Sequence, residues 1–372
     1  MLQAGTPVME EDTRTQANIR MRHILQHCEA AIQQPQQGYN HPALVRLTHD
    51  YARSDDSKRL FLSSFFGHLD LPLAGGIDPD IDFSDPQVKA RLCQSVDDFA
   101  EYLMDSFFLP LKAASNRTPQ PSPITHSAVQ RAQGAALHQS GVGTPDRVST
   151  LRGTCLVRDR HRCVISRKFD TVEGRKRREA GDARDDDGLP IGPHDIRLLE
   201  VAHILPHSLV QASNSQLSTA QKAALDILNM FDMGVVHLID GVEIDRPYNA
   251  ITLSHEHHFD FGSFRIFFEP VSNQPHTYRI DAFDSFNRAT LGLPVTRTLY
   301  LSENRTIDPP SPRLLAIHCA IGHILHLSGA GDYIDRIFYD AEEYGVRSDG
   351  STQLGVLLSA KLNLVALVGA QS

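Results

Sequence analysis

The sequence predicts an α+β protein in which a short mixed core is flanked by helical regions on both sides. Three observations carry that prediction. In "VDDFAEYLMDSFFLPLKAA" the residues Phe99, Tyr102, Leu103 and Phe107 recur at helical spacing and share one face. In the middle of the chain, "LEVAHIL", "SFRIFFEP" and "HTYRIDAF" are short apolar or alternating runs that read as strands. From "DPPSPRLLAIH" onward the pattern is helical again, with Pro312 at an N-terminal position and Gly329 or Gly331 at the end.

Taken in order, residues 1–114 form a helical N-terminal region whose first, polar helix is closed by "QQPQQG". Residues 115–148 are rich in proline and serine and read as a linker or mobile loop. The mixed core spans 149–308, with "CVIS" at Cys163 to Ser166 on its first strand and a polar helix over "STAQKAALDILNMF". A charged insertion at about 170–196, "VEGRKRREAGDARDDDGLPIGPHD", sets a basic block before an acidic one and is expected to be exposed and disordered. Residues 309–372 form a C-terminal helical region expected to pack on the core.

Composition narrows the function. A chain of 372 residues with 41% hydrophobic and 22% charged residues has material for a real core. No stretch approaches the roughly 20 apolar residues of a membrane helix, and the N-terminus has no apolar leader. No membrane partner is therefore expected, and the location expected is intracellular, nucleus or cytoplasm. Five cysteines, Cys28, Cys93, Cys155, Cys163 and Cys319, are an odd number without a CxxC pair. They point to reduced thiols and away from a disulfide framework or a four-cysteine zinc site. The net charge of −9 disfavours a dedicated nucleic-acid binder, yet "LRGTCLVRDRHRCVISRK" sets Arg152, Arg158, Arg160, Arg162, Arg167 and Lys168 against Asp159 alone. That is a basic patch in an acidic protein.

The candidate chemistry lies around three polar residues. His203 closes an apolar strand, Asn249 follows a Pro-Tyr turn, and "HEHH" at 255–258 opens a helix. A phosphodiesterase needs one neutral imidazole to activate water, a second group to hold a divalent ion, and an amide to tie the segments together. The segment "LEVAHILPHSL…DRPYNAITLSHEHHFDFGSFRIFFEP" resembles the HNH endonuclease motif, a ββα-metal fold, in the branch common in fungal proteins. The C-terminal "LLAIHCAIGHILHLSGAGDYID…DGSTQLG" is similar to the segment that accompanies it there. The resemblance implies His203 as general base, Asn249 as the middle asparagine and His258 as a metal ligand, with His257 the alternative if the register shifts.

One position departs from the pattern. Ala202 stands where active members carry an aspartate or histidine that binds metal, so Glu200, on the same strand face, is the nearest replacement ligand; Asp260 and His207 are weaker ones. Arg158, Arg160, Arg162 and Arg167 are candidates for phosphate contact. Among the apolar residues of "HCAIGHILH", His318, His323 and His326 read as packed or edge histidines of a core helix rather than as metal ligands. The resemblance implies a metal-dependent endonuclease of low sequence specificity acting on nucleic acid, with DNA the expected substrate. The ion expected is Mg2+, with Mn2+ or Zn2+ as alternatives. The competing expectation is a non-catalytic binding or scaffolding protein on a decayed HNH core.

Overall fold

The computed structural model describes residues 11–29, 38–73, 81–115, 145–206, 209, 218–302 and 304–343. The elements run α1 (Glu11–Glu29), α2 (His41–Asp50), α3 (Asp55–His68), α4 (Pro86–Leu103), a π turn (Met104–Phe108), α5 (Leu109–Ser115) and α6 (Pro145–Arg158). Next come β1 (Phe169–Asp170), α7 (Thr171–Glu179), β2 (Ile196–Arg197), β3 (Leu199–His203) and α8 (Thr219–Phe231). Three short 3-10 turns lead to β4 (Ala250–Ser254) and α9 (His255–Gly262). The rest is β5 (Ile266–Pro270), β6 (Thr277–Ala282), α10 (Ser285–Leu291), β7 (Val295–Thr298), α11 (Pro312–Leu327) and α12 (Ala330–Glu343). The structure is thus α+β and mostly helical. No single described helix is long and apolar enough to cross a membrane. Most of the 115–148 stretch, His207 and the "DGSTQLG" segment lie outside the described residues.

The chain divides into two compact units. One comprises Met1–Leu109, Ala223–Gly234 and His323–Leu357; the other comprises Pro110–Lys222, Val235–Gly322 and Leu358–Ser372. In the first, helices start on side-chain caps: Asn40 accepts from the Ala43 amide, Ser54 from Ser57, and Asp85 from Gln87. The aromatic stripe read from the sequence is core, since Phe99 meets Phe61 and Phe65 edge-on at 5.6 Å each. The π turn adds a residue to the winding and lets Phe107 and Phe108 both turn inward, against Phe231 of α8. Cys28 on α1 and Cys93 on α4 form a disulfide, Cα–Cα 5.3 Å. This corrects the expectation of five reduced thiols for that pair. Each cysteine sits where the two helices pack, a proximity that no local spacing announces.

The second unit holds three small sheets: parallel β1–β2, antiparallel β3–β4, and antiparallel β5–β6–β7. Val201, Ala250, Leu151 and Cys155 form a small buried cluster that seats α6 against the β3–β4 pair. At Gly322 of α11 an added Cβ would lie 3.1 Å from the Phe283 ring and 3.3 Å from the Phe264 carbonyl oxygen, so a side chain there would require these neighbours to give by a few tenths of an ångström. Two expectations are corrected here. Cys163 to Ser166 form a turn, closed by Arg167 N–H to Cys163 O at 3.0 Å, and the first strand begins only at Phe169. The 170–196 insertion is folded. Asp170 caps α7 by accepting from the Val172 and Glu173 amides, and Arg177 donates to Glu173 at 2.9 Å and to Asp186 at 2.5 Å. The basic and acidic blocks neutralise each other, and that pairing replaces the apolar burial the segment lacks.

Candidate active site

The strand pair β3–β4 builds the site. Its register places Glu200 opposite Leu253 and His203 opposite Ala250, so both ends of the hairpin carry polar side chains. Asn249 lies just before β4, fully buried, and extends the ladder through Ile204 N–H to Asn249 O at 2.8 Å. Its side chain makes three bonds. Oδ1 accepts from the Leu205 amide at 3.0 Å, and Nδ2 donates to the Leu205 and Ile244 carbonyls at 2.9 Å each. One amide therefore fixes the chain leaving β3 and the turn entering β4, which is what an asparagine can do and a carboxylate cannot.

His203 turns to Asp245, the last residue of a 3-10 turn (Gly241–Asp245). Nε2 donates to Asp245 Oδ1 at 3.1 Å, with the two side chains 2% and 1% exposed. An ionised carboxylate only accepts, so the bond holds the proton on Nε2 and leaves Nδ1 with the lone pair. Asp245 is the functional residue that sequence reasoning missed. Its one sequence signal is weak, an aspartate four residues before Asn249 in a chain with 45 acidic residues.

The register of α9 is fixed by what its histidines touch. His258 Nδ1 donates to Glu200 Oε2 at 2.6 Å and His255 Nδ1 to Glu200 Oε1 at 3.0 Å, whereas His257 turns to the Ser254 hydroxyl at 2.7 Å. Hydrogen bonds from His258 and then His255 outweigh partial burial and pull the Glu200 carboxyl from the usual 4.5 to about 2. Burial lowers His257 and raises Asp260. With its Nδ1 proton on Glu200, His258 presents Nε2, which is buried and has no hydrogen-bond partner among the described residues. A carboxylate behind one ring nitrogen with the other left open is the usual setting of a metal-ligating histidine.

Glu200 is therefore not an open carboxylate: both oxygens are committed to ring nitrogens. Ala202 is 1% exposed and offers no donor. Among the described residues no three His, Cys, Asp or Glu side chains converge as a cation cage. A divalent ion would find a protein donor in His258 Nε2, with water and phosphate oxygens supplying the other positions that a hard ion accepts.

Stability should follow the Glu200 contact. A carboxyl held below its unfolded value contributes fully above about pH 4.5 and loses that contribution as pH falls toward about 2. Urea unfolding of Glu200→Gln should show a deficit of about 1–2 kcal/mol at pH 7, after discounting for solvent screening. The deficit should shrink below pH 4.5 and vanish near pH 2. A pH-independent deficit would show that the pair contributes no linkage.

The arginines divide differently from the linear patch. Arg158 has no exposure and corrects the expectation of phosphate contact. Its Nε and Nη2 donate to Asp159 at 2.8 Å each, Nη1 reaches the Pro247 carbonyl at 2.6 Å, and Nη2 also reaches Ala250 O at 2.9 Å. Burial opposes the charged form, but Asp159 more than compensates and holds the guanidinium charged. Arg162 is spent on Asp185 and the Arg167 carbonyl. Arg160, paired with Asp187, and Arg167 both stack on Tyr300, with centroid distances of 5.3 and 4.3 Å. Among the C-terminal histidines, His326 is exposed and His323 half-buried, whereas His318 is packed. Its ring stacks on Phe261 at 3.8 Å, Nε2 donates to Phe261 O at 2.9 Å, and burial lowers it to about 3.

A family model described as HNH endonuclease matches residues 163–269, the segment that contains His203, Asn249 and His258. No curated protein and no solved structure matches the chain. The HNH family acts on nucleic acid and typically uses a divalent metal. Residues 163–269, with β3, β4 and α9 at their centre, are an HNH endonuclease domain set between helical flanks.

Proposed function

We propose that this domain hydrolyses phosphodiester bonds of nucleic acid, DNA first among them, with little sequence preference. The observation that carries the reading is the opposite setting of two buried imidazoles. Asp245 keeps the His203 proton on Nε2 and the lone pair on Nδ1, and Glu200 keeps the His258 proton on Nδ1 and the lone pair on Nε2. His203 Nδ1 takes the proton of the attacking water, and Asp245 stabilises the imidazolium that results. Asn249 keeps the backbone beyond His203 in place. Arg160 and Arg167 contact backbone phosphates without reading bases. His258 Nε2 would hold a divalent ion, for which Mg2+, Mn2+ and Zn2+ are the candidates, and the ion would supply positive charge to the phosphate.

The test is cleavage of plasmid and of single- and double-stranded oligonucleotides, DNA and RNA, with Mg2+ or Mn2+, comparing wild type with His203→Ala. Equal inertness of both under all metals removes the enzymatic reading. Buried Ala202 and the lack of a three-ligand cage among the described residues favour a second reading, a nucleic-acid-binding protein on an inactive HNH core. That reading predicts retained DNA binding with no heat of Mg2+ or Mn2+ binding in calorimetry.

A further inference from the structure

The other unit contains a histidine pair unrelated to the HNH motif. His23 and His27 stand one turn apart on α1, beside the buried stripe Arg20, Ile24 and Cys28, and their Nε2 atoms lie 3.3 Å from each other. Phe83 fixes both rings, lying flat on His27 at 4.1 Å with a 9° interplanar angle and edge-on to His23 at 5.1 Å. Burial, then His23 and Lys89, lowers the His27 pKa.

We propose that His23 and His27 form a two-imidazole site for a borderline divalent transition ion such as Zn2+. Two nitrogens at about 2.0–2.1 Å from one tetrahedral Zn2+ sit about 3.3–3.4 Å apart, which is the separation the helix already provides. The i, i+4 spacing is the one by which two histidines on one helical face reach a single ion. Imidazole nitrogen selects Zn2+, Ni2+ or Cu2+ and gives Mg2+ no oxygen to hold. No third His, Cys, Asp or Glu completes the set among the described residues, so water fills the remaining positions. Phe83, stacked on half-buried His27 and edge-on to exposed His23, limits the rotamer freedom that weakens such pairs. The site stands independently of the proposed nuclease activity.

The test is calorimetric titration of the full, untagged chain with Zn2+, in the presence of excess Mg2+. The expected result is a Zn2+ equivalent that Mg2+ does not displace and that is weakened at least tenfold in His23→Ala and in His27→Ala but retained in His258→Ala, separate from any Zn2+ bound at His258. Zn2+ should also raise the melting temperature of wild type and not of the two α1 variants. His23→Gln keeps a hydrogen-bond donor toward His27 but removes a ligand, so it should bind as weakly as His23→Ala if the contact is a metal site. Circular dichroism of the exposed-site variant His23→Ala guards against unfolding. Zn2+ uptake unchanged in both α1 variants, or no uptake by wild type below about 1 mM Zn2+ (a Kd corresponding to about −4 kcal/mol), overturns the proposal.

Discussion

Asp245→Asn should slow phosphodiester cleavage by roughly 10²–10⁴-fold, close to the loss expected for His203→Ala, while nucleic-acid affinity stays within a fewfold of wild type. The reasoning is one of tautomers. An asparagine amide can turn its NH2 toward the His203 ring, so Nε2 becomes the acceptor, and the proton then sits on Nδ1, where the lone pair is needed. Because Asp245 contacts neither substrate nor metal in the proposed mechanism, the loss belongs to kcat rather than KM. Single-turnover cleavage beside fluorescence-anisotropy binding in EDTA separates the two. A wild-type kcat in Asp245→Asn would sink the assignment of His203 as a base oriented by that carboxylate.

Arg158→Met should cost about 3–5 kcal/mol in urea unfolding, because it leaves Asp159 as a buried charge without its counterion. Asp159 is 0% exposed and also accepts from the Thr252 amide at 3.2 Å. The guanidinium meanwhile binds the carbonyls of Pro247 and Ala250, on either side of Asn249. The substitution therefore releases the turn that feeds β4 as well as breaking an ion pair. Removing both charges together, in Arg158→Met with Asp159→Asn, should recover part of the loss, since a neutral amide still accepts from Thr252. A deficit below about 1 kcal/mol for the single variant would place this pair among weakly contributing surface bridges.

The difference between what the sequence disclosed and what it concealed follows from range. Asn249 and His258 lie on one continuous turn–strand–helix segment, so their nine-residue spacing is written along the chain, and the strand ending at His203 is equally local. Asp245 is close in sequence to Asn249, but its meaning depends on the His203 ring, 42 residues earlier. Arg158 was misread because charge was counted along a line. Asp159 beside it is the counterion, and both lie fully buried where α6 ends. Segment 170–196 was misread for the opposite reason: few apolar residues suggested disorder, yet complementary charge blocks found each other at short loop distances. Glu200 was seen as a donor but not as a shared acceptor, since the pairing rests on the α9 register.

The disulfide between α1 and α4 has a topological consequence. The bridge and the 65-residue separation between its ends make that stretch of backbone a covalent ring enclosing α2 and α3. A single protease cut inside the ring cannot release either piece. It converts the chain into two polypeptides that still travel as one mass until a thiol opens the bridge.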